Sequence, residues 1–269
     1  MKLKVCIRGG GDIASGIGWR LHRCGFKVLI TEIENPLCVR RKVSFSEAVY
    51  EGKCVVEGVE GVLVDSMEEI EGCWKEKKIP IIIDPECNIK REIAFDVLVD
   101  AIMAKRNLGT KIIDAPLVIG IGPGFEAGID THYVIETKRG HYLGRCVEKG
   151  GAEPDTGIPG PVMGYTTERV VRAPLDGIWK ASKSIGDMVK RGELLGNVQG
   201  VELHAEIDGV IRGLIRNGIE VKKRLKIGDI DPRGIRDYCF TISDKALAVS
   251  GGVLEAILRT YLKPSFCAK

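Results

Sequence analysis

No two cysteines in this 269-residue chain are spaced C-x-x-C, and histidine occurs only four times, at His22, His132, His141 and His204. A zinc ribbon needs thiolates or imidazoles clustered at short spacing, so no metal site is expected. No apolar run approaches the roughly 18 residues that cross a bilayer, and Met1–Lys4 leads straight into a strand-like run, so neither a membrane span nor a leader is expected. Charge of one sign is also lacking: 40 Lys and Arg face 37 Asp and Glu, a net of +3, too even a balance to draw nucleic acid. The nine cysteines are odd in number and scattered; they read as mostly buried free thiols in a reducing, cytoplasmic setting. What is abundant is glycine, 34 residues, nearly twice the usual share of about 7% and placed where turns are expected.

Leu3–Arg8 reads as a buried strand. It runs into Gly9-Gly10-Gly11-Asp12-Ile13-Ala14, where Gly9, Gly11 and Ala14 fit G-x-G-x-x-A. Ala14, Ile17, Leu21 and Cys24 then recur at helical spacing, Gly25 stands where a helix should end, and Phe26–Thr31 reads as a second strand. Glu32 follows Gly11 by 21 residues. A strand turning into a helix presents free N–H groups and a positive dipole end to a phosphate, and an acid about 20 residues later can accept from ribose hydroxyls. Gly9, Gly10, Gly11, Asp12 and Glu32 are therefore candidate ligand residues, with a dinucleotide among the possible ligands. Glycine needed only for the turn and for helix–sheet packing is the other reading. Further segments alternate: a short helix at 45–50, strands at 53–57 and 62–65, a helix from Ser66 with Glu69 as capping box, and strands at 80–84 and 96–101. That alternation predicts a mostly parallel sheet.

Downstream, 111–121 is strand-like and ends in Gly120-Ile121-Gly122-Pro123-Gly124-Phe125, which is either a ligand loop through Gly122 and Gly124 or a tight turn. His132, Val134 and Glu136 share one face of a strand at 132–137. Arg139 and Arg145 could clamp a phosphate or carboxylate with His141 between them, or belong to a solvated hairpin. Residues 150–164 are irregular, with five glycines and three prolines, and mark a domain boundary near their end.

Residues 173–198 repeat at 205–230 with an offset of 32: Ala173, Asp176, Gly177, Gly186, Val189, Lys190 and Gly196 recur at 205, 208, 209, 218, 221, 222 and 228. Each half reads strand, Asp-Gly turn, strand, glycine turn, strand, and neither can bury enough apolar surface alone. Ala173-Pro174-Leu175-Asp176-Gly177 and Ile185–Glu193 resemble turns of the biotinyl/lipoyl-like barrel-sandwich fold. Carrier members of that family modify a lysine at the joining hairpin. Here that hairpin, Asn197–Glu202, holds none, so no biotin or lipoyl attachment is expected. A C-terminal helix starts at Ser243, carries Gly251-Gly252 in its middle, and should stop at Pro264.

The expected fold class is thus α/β: a Rossmann-like parallel sheet domain with ligand loops (1–165), a small duplicated barrel-sandwich β-domain (166–234) and a C-terminal helical segment (235–269). Arg8–Gly16, Gly120–Phe125, Glu136–Arg145, Thr156–Gly160, Asp229–Arg233 and Gly251-Gly252 together resemble the YqeB-like accessory proteins of selenium-dependent molybdenum hydroxylase systems. The resemblance implies a maturation protein that handles the molybdenum cofactor or its selenium or sulfur ligand. It also implies a molybdenum hydroxylase apo-enzyme as partner; self-association into a homo-oligomer is compatible with it. Cys6, Cys38 and Cys87 are the candidate sulfur or selenium carriers, with buried structural thiol the alternative for each. Two rival functions stand beside this one. The first is an NAD(P)-dependent oxidoreductase, motivated by the glycine turn and Glu32. The second is a non-catalytic docking scaffold built on the duplicated β-domain. No catalytic residue is singled out.

Overall fold

A computed structural model describes residues 3–262. Pro264, expected to stop the last helix, and Cys267 lie outside those residues. The chain divides into two compact units. Unit 1 takes residues up to Pro36, Phe45–Asp155 and Ile242 onward; unit 2 takes Leu37–Ser44 and Thr156–Thr241.

In unit 1 the chain runs β1 (Lys4–Arg8), α1 (Asp12–Arg23), β2 (Lys27–Glu32), α2 (Ala48–Glu51), β3 (Lys53–Val56), β4 (Val59–Leu63), α3 (Met67–Lys75), β5 (Ile79–Ile83), β6 (Val97–Asp100), β7 (Leu117–Ile121), β8 (Tyr133–Ile135) and β9 (Cys146–Val147). The strands form one sheet in the order β3-β4-β5-β2-β1-β6-β7-β8-β9. From β4 to β8 neighbours are parallel, with Val5 of β1 opposite Val28 on one side and Val97 on the other. These central strands are buried on both faces, which is why they read as unbroken apolar runs rather than alternating ones. Both edges are antiparallel: β3 pairs with β4, and β8 with β9. The β3–β4 turn is the two-residue pair Glu57 (φ 41°) and Gly58 (φ 80°), the doubly left-handed geometry that joins strands tightly.

Helix α1 ends as its sequence requires. Gly25 is left-handed (φ 87°), its N–H donates to His22 O, and the Phe26 N–H reaches back to Leu21 O. Ser66 caps α3 by accepting from the Glu69 amide at 3.3 Å. The last helix, α4 (Asp244–Tyr261), is capped by Ser243, which accepts from the Ala246 amide at 3.1 Å. It packs against α1, with Ala246 over Gly16. A Cβ on Gly252 would lie 2.2 Å from the Gly144 carbonyl oxygen, so the mid-helix glycine permits a close backbone approach.

Unit 2 contains β10 (Val170–Arg172), β11 (Gly177–Ala181), β12 (Met188–Val189), β13 (Leu194–Val198), β14 (Val201–His204), β15 (Gly209–Leu214), β16 (Glu220–Val221) and β17 (Lys226–Asp231). They form two four-stranded antiparallel sheets, β10-β17-β15-β12 and β14-β13-β11-β16. The offset of 32 carries β11, β12 and β13 onto β15, β16 and β17. Each half lends its short middle strand to the other half's sheet: β12 pairs with β15, and β16 with β11. Turn chemistry repeats as well. Asp208 accepts from the Arg191 amide at 2.8 Å and Asp176 from the Lys223 amide at 2.7 Å, equivalent bonds with the two halves exchanged. Trp179, Leu195, Val198, Val210, Ile211 and Ile227 fill the shared core. The inserted segment 37–44 lies along β15, where the Leu214 amide donates to Val39 O at 2.8 Å.

This is not the expected fold class of a Rossmann-like parallel sheet domain, a small duplicated barrel-sandwich domain and a separate C-terminal helix. The large sheet is mixed and nine-stranded, with antiparallel strands at both edges, and the β region forms two antiparallel sheets with added strands β10 and β14. The final helix is built into unit 1 against α1, and the boundaries 165/166 and 234/235 give way to two interleaved units. Hydrophobic periodicity reports which faces are buried. It carries no information on strand direction or on which distant segment covers a helix.

Candidate functional site

Strand order reverses at β1, which has β2 on one side and β6 on the other. Open sheets of this kind leave a crevice outside the carboxyl ends of the strands at such a point. Arg8, Glu32 and Asp100 end β1, β2 and β6, and the glycine turn leaves from Arg8.

The turn is tightly embedded on its inner side. Gly9 is left-handed (φ 92°), and a Cβ there would meet the backbone of Ile102 at 3.1 Å. Gly10 donates its N–H to Glu32 Oε2 at 2.7 Å, and its carbonyl accepts from the Ser46 amide at 2.9 Å and from Ser15 Oγ at 3.0 Å. Glu32 Oε1 accepts from the Ile33 amide at 2.8 Å. The carboxylate that the spacing offers to a ribose therefore holds the turn itself. Burial pushes its pKa up, and the two amide hydrogen bonds oppose that rise. Gly11 differs. It is the cap residue of α1, contributes no side chain to the first-turn amides, and nothing lies within 4 Å of a Cβ built on it.

Lys245, in the first turn of α4, adds a charge beside this opening. Burial pulls its pKa down; the nearby charge of Asp12 resists that fall, Arg139 adds to it, and Glu136 and Asp155 resist it. Sequence reasoning did not single Lys245 out. The signal was there: a lysine just inside a helix N-terminus opposes the helix dipole and asks for a reason.

The other candidates are engaged within the protein. Arg139 pairs bidentately with Asp244 at 2.6 and 2.9 Å. Arg145 stacks over Tyr142 at 4.4 Å, and His141 meets the same ring edge-on at 5.0 Å. All three residues 139, 141 and 145 are exposed. Gly122 (φ 78°) lies against Thr137, and Gly124 (φ 108°) against the backbone of Arg106, so their conformation and packing account for both glycines. Buried Glu136 accepts from the amides of Thr137, Lys138 and Glu153, each at 2.7 Å, and so organises the loops around it. Arg8 is buried beside Asp100 at 3.1 Å, both bond Thr110, and Arg8 Nη2 donates to Pro85 O at 3.3 Å. Asp12 and Lys245 thus flank the opening, whereas Arg139, His141 and Arg145 form no joint clamp.

Of the candidate cysteines, Cys6 and Cys87 are buried with Sγ atoms 3.5 Å apart, while Cys38 contacts Ser44 Oγ at 2.9 Å in unit 2. Among the described residues no group of three or more His, Cys, Asp or Glu is arranged to hold a metal, and no helix is long and apolar enough to cross a membrane. Two recesses of about 340 and 460 Å³ occur in unit 2, one beside Lys190 and Arg233, the other beside Arg191 and His204.

The chain is 46% identical over 254 residues, 94% of its length, to the uncharacterized protein YqeB of Escherichia coli strain K12. Over that span this chain is similar to YqeB. It spans about half, 47%, of the length of that curated relative. No family model matches. Among solved structures, an aspartoacylase family protein from Mesorhizobium loti aligns over 86% of this chain and 85% of its own at 13% identity, with a TM-score of 0.26. A succinylglutamate desuccinylase from Silicibacter sp. TM1040 aligns over 85% and 84% at 12% identity, also with a TM-score of 0.26. Likeness at that level carries no inference about the fold or chemistry of this chain.

Proposed function

We propose that this chain is an accessory factor in the maturation of a molybdenum hydroxylase. In this reading it holds a phosphate-bearing ligand, the molybdenum cofactor or a precursor of its selenium- or sulfur-bearing form, at the glycine turn that opens α1. The molybdenum role rests on the motif resemblance; the similarity to YqeB supports the kinship and not that role. One observation carries the binding site: an open helix N-terminus at the strand-order reversal, with the half-buried ammonium of Lys245 beside it. Amides and a cation converging on one opening fit a phosphate.

The amides of the first turn of α1 would hold the phosphate oxygens and Lys245 would neutralise their charge. The bound group would supply the redox metal chemistry of the target enzyme, while this chain binds, orients and shields it. A dinucleotide fits less well, because Glu32 already accepts two backbone amides.

The test is to co-express the full chain with a cofactor pathway, purify it, and analyse released ligand by absorbance and mass spectrometry. A pterin phosphate is expected from the wild type. Lys245→Met should bind that ligand roughly 10- to 100-fold more weakly, the loss of one charge-assisted contact of about 1.5–3 kcal/mol. Wild-type protein free of pterin, with a cofactor-loaded positive control, would overturn the reading.

A further inference from the structure

We propose that Cys6 and Cys87 form a dithiol that closes reversibly to an intramolecular disulfide. Cys6 lies on β1, and Cys87 lies in the loop after β5, 81 residues away in sequence. Their sulfurs are 3.5 Å apart and both residues are fully shielded. Closing the gap to a bond of about 2.05 Å needs a shift of roughly 1.5 Å, within reach of small side-chain rotations and a slight movement of one loop.

The loop has a built-in irregularity. Cys87 is left-handed (φ 54°, ψ 43°), a conformation disfavoured for a side chain of this kind. It is held there by its own amide, which donates to Asp84 O at 3.0 Å, and by Asp84 Oδ2, which accepts from the Ile89 amide at 2.8 Å. The two thiols are also electrically distinct. Cys6 as hydrogen-bond partner lowers the pKa of Cys87 and has its own raised, and the Arg8 guanidinium favours the thiolate at both. Cys87 is therefore the attacking thiolate and Cys6 the resolving thiol.

Burial calls for a small oxidant, and hydrogen peroxide is the one assigned. The Cys87 thiolate, its proton given to solvent, attacks one peroxide oxygen; the S–O bond forms, the O–O bond breaks, and hydroxide leaves. That hydroxide takes the Cys6 proton and becomes water. Cys6 then attacks Cys87 Sγ, forming the S–S bond and breaking the S–O bond. The departing hydroxide is protonated by the proton first released, so one dithiol and one peroxide yield one disulfide and two waters. Arg8 ties this event to the glycine turn, since it follows Cys6 by two residues on β1 and bonds Pro85 of the same loop.

The experiment exposes fully reduced full-length protein to hydrogen peroxide and removes the oxidant. Remaining thiols are alkylated in denaturant, and unreduced peptides are mapped by mass spectrometry. The Cys6 and Cys87 peptides should appear joined, lighter by two hydrogens than the separate pair, and separate again on treatment with dithiothreitol. Cys24→Ser should leave that link in place, and Cys6→Ser should abolish it. Recovery of both cysteines as separate alkylated or over-oxidised peptides, or of either one joined to another cysteine, would overturn the proposal. Circular dichroism on the oxidised wild type keeps the result tied to folded protein.

Discussion

Glu32 and Lys245 are both half-buried, and their titrations make separate predictions. Burial raises the Glu32 pKa above the ordinary 4.5. Between the unfolded and the raised folded value the native state binds more protons, so stability falls as pH rises through that window. Glu32→Gln removes this slope and leaves only one oxygen for the amides of Gly10 and Ile33. A loss of about 1–3 kcal/mol is expected in urea unfolding at neutral pH. For Lys245 the folded pKa is lowered from 10.5, so the ammonium is lost earlier on the alkaline side than an ordinary lysine. Phosphate affinity should therefore fall as pH rises before 10.5 is reached, and Lys245→Arg should hold its affinity over the same range. A calorimetric pH series reads both. Gly11→Ala separates site from scaffold: its Cβ meets nothing within 4 Å, so stability should change by less than about 1 kcal/mol while binding weakens.

At the level of elements, the two Asp turns of unit 2 are predicted to act as equals. Asp176 and Asp208 each have a lowered pKa, led by the backbone amide of Lys223 and of Arg191 respectively. Their contribution is present above the unfolded value and lost as pH falls through the lowered one. Asp176→Asn and Asp208→Asn should each lower the melting temperature of unit 2 by similar amounts at neutral pH, and the difference from wild type should vanish in acid. Thermal scans of the single and double variants check this. Gly252→Ala should cost more than about 1 kcal/mol, since its Cβ meets a backbone oxygen that cannot move aside.

These same elements show how far the sequence was readable. The strand–glycine–helix–strand unit, the caps at Gly25, Ser66 and Ser243, and the repeat all rest on local chemistry, and they stand where periodicity and turn residues put them. The antiparallel direction of the edge strand β3 was not readable, because the Glu57-Gly58 turn lies between runs that periodicity alone treats as independent strands. The role of Glu32 was half readable: its spacing from Gly11 brings it to the turn, but spacing does not say whether it faces a ligand or the Gly10 amide, which it accepts from at 2.7 Å. Lys245 joins the opening only because α4, some 230 residues later in sequence than α1, packs against it.

For the molecule as a whole, unit 1 is assembled from segments at both ends of the chain, with unit 2 inserted. A chain ended after Thr241 would lose Ala246, Val249, Val253 and Ile257 from the unit 1 core, and unit 1 should then fail to give a cooperative melt. The function proposed here depends on a binding act at one place, the open start of α1. Amide-resolved magnetic resonance of the full chain, titrated with a phosphate-bearing pterin, tests that most directly. The account predicts saturable shifts centred on Gly11, Asp12, Ile13 and Ala14 that weaken in Lys245→Met. Shifts confined to the recesses of unit 2 near Lys190 and Arg191, with the start of α1 unmoved, would contradict it.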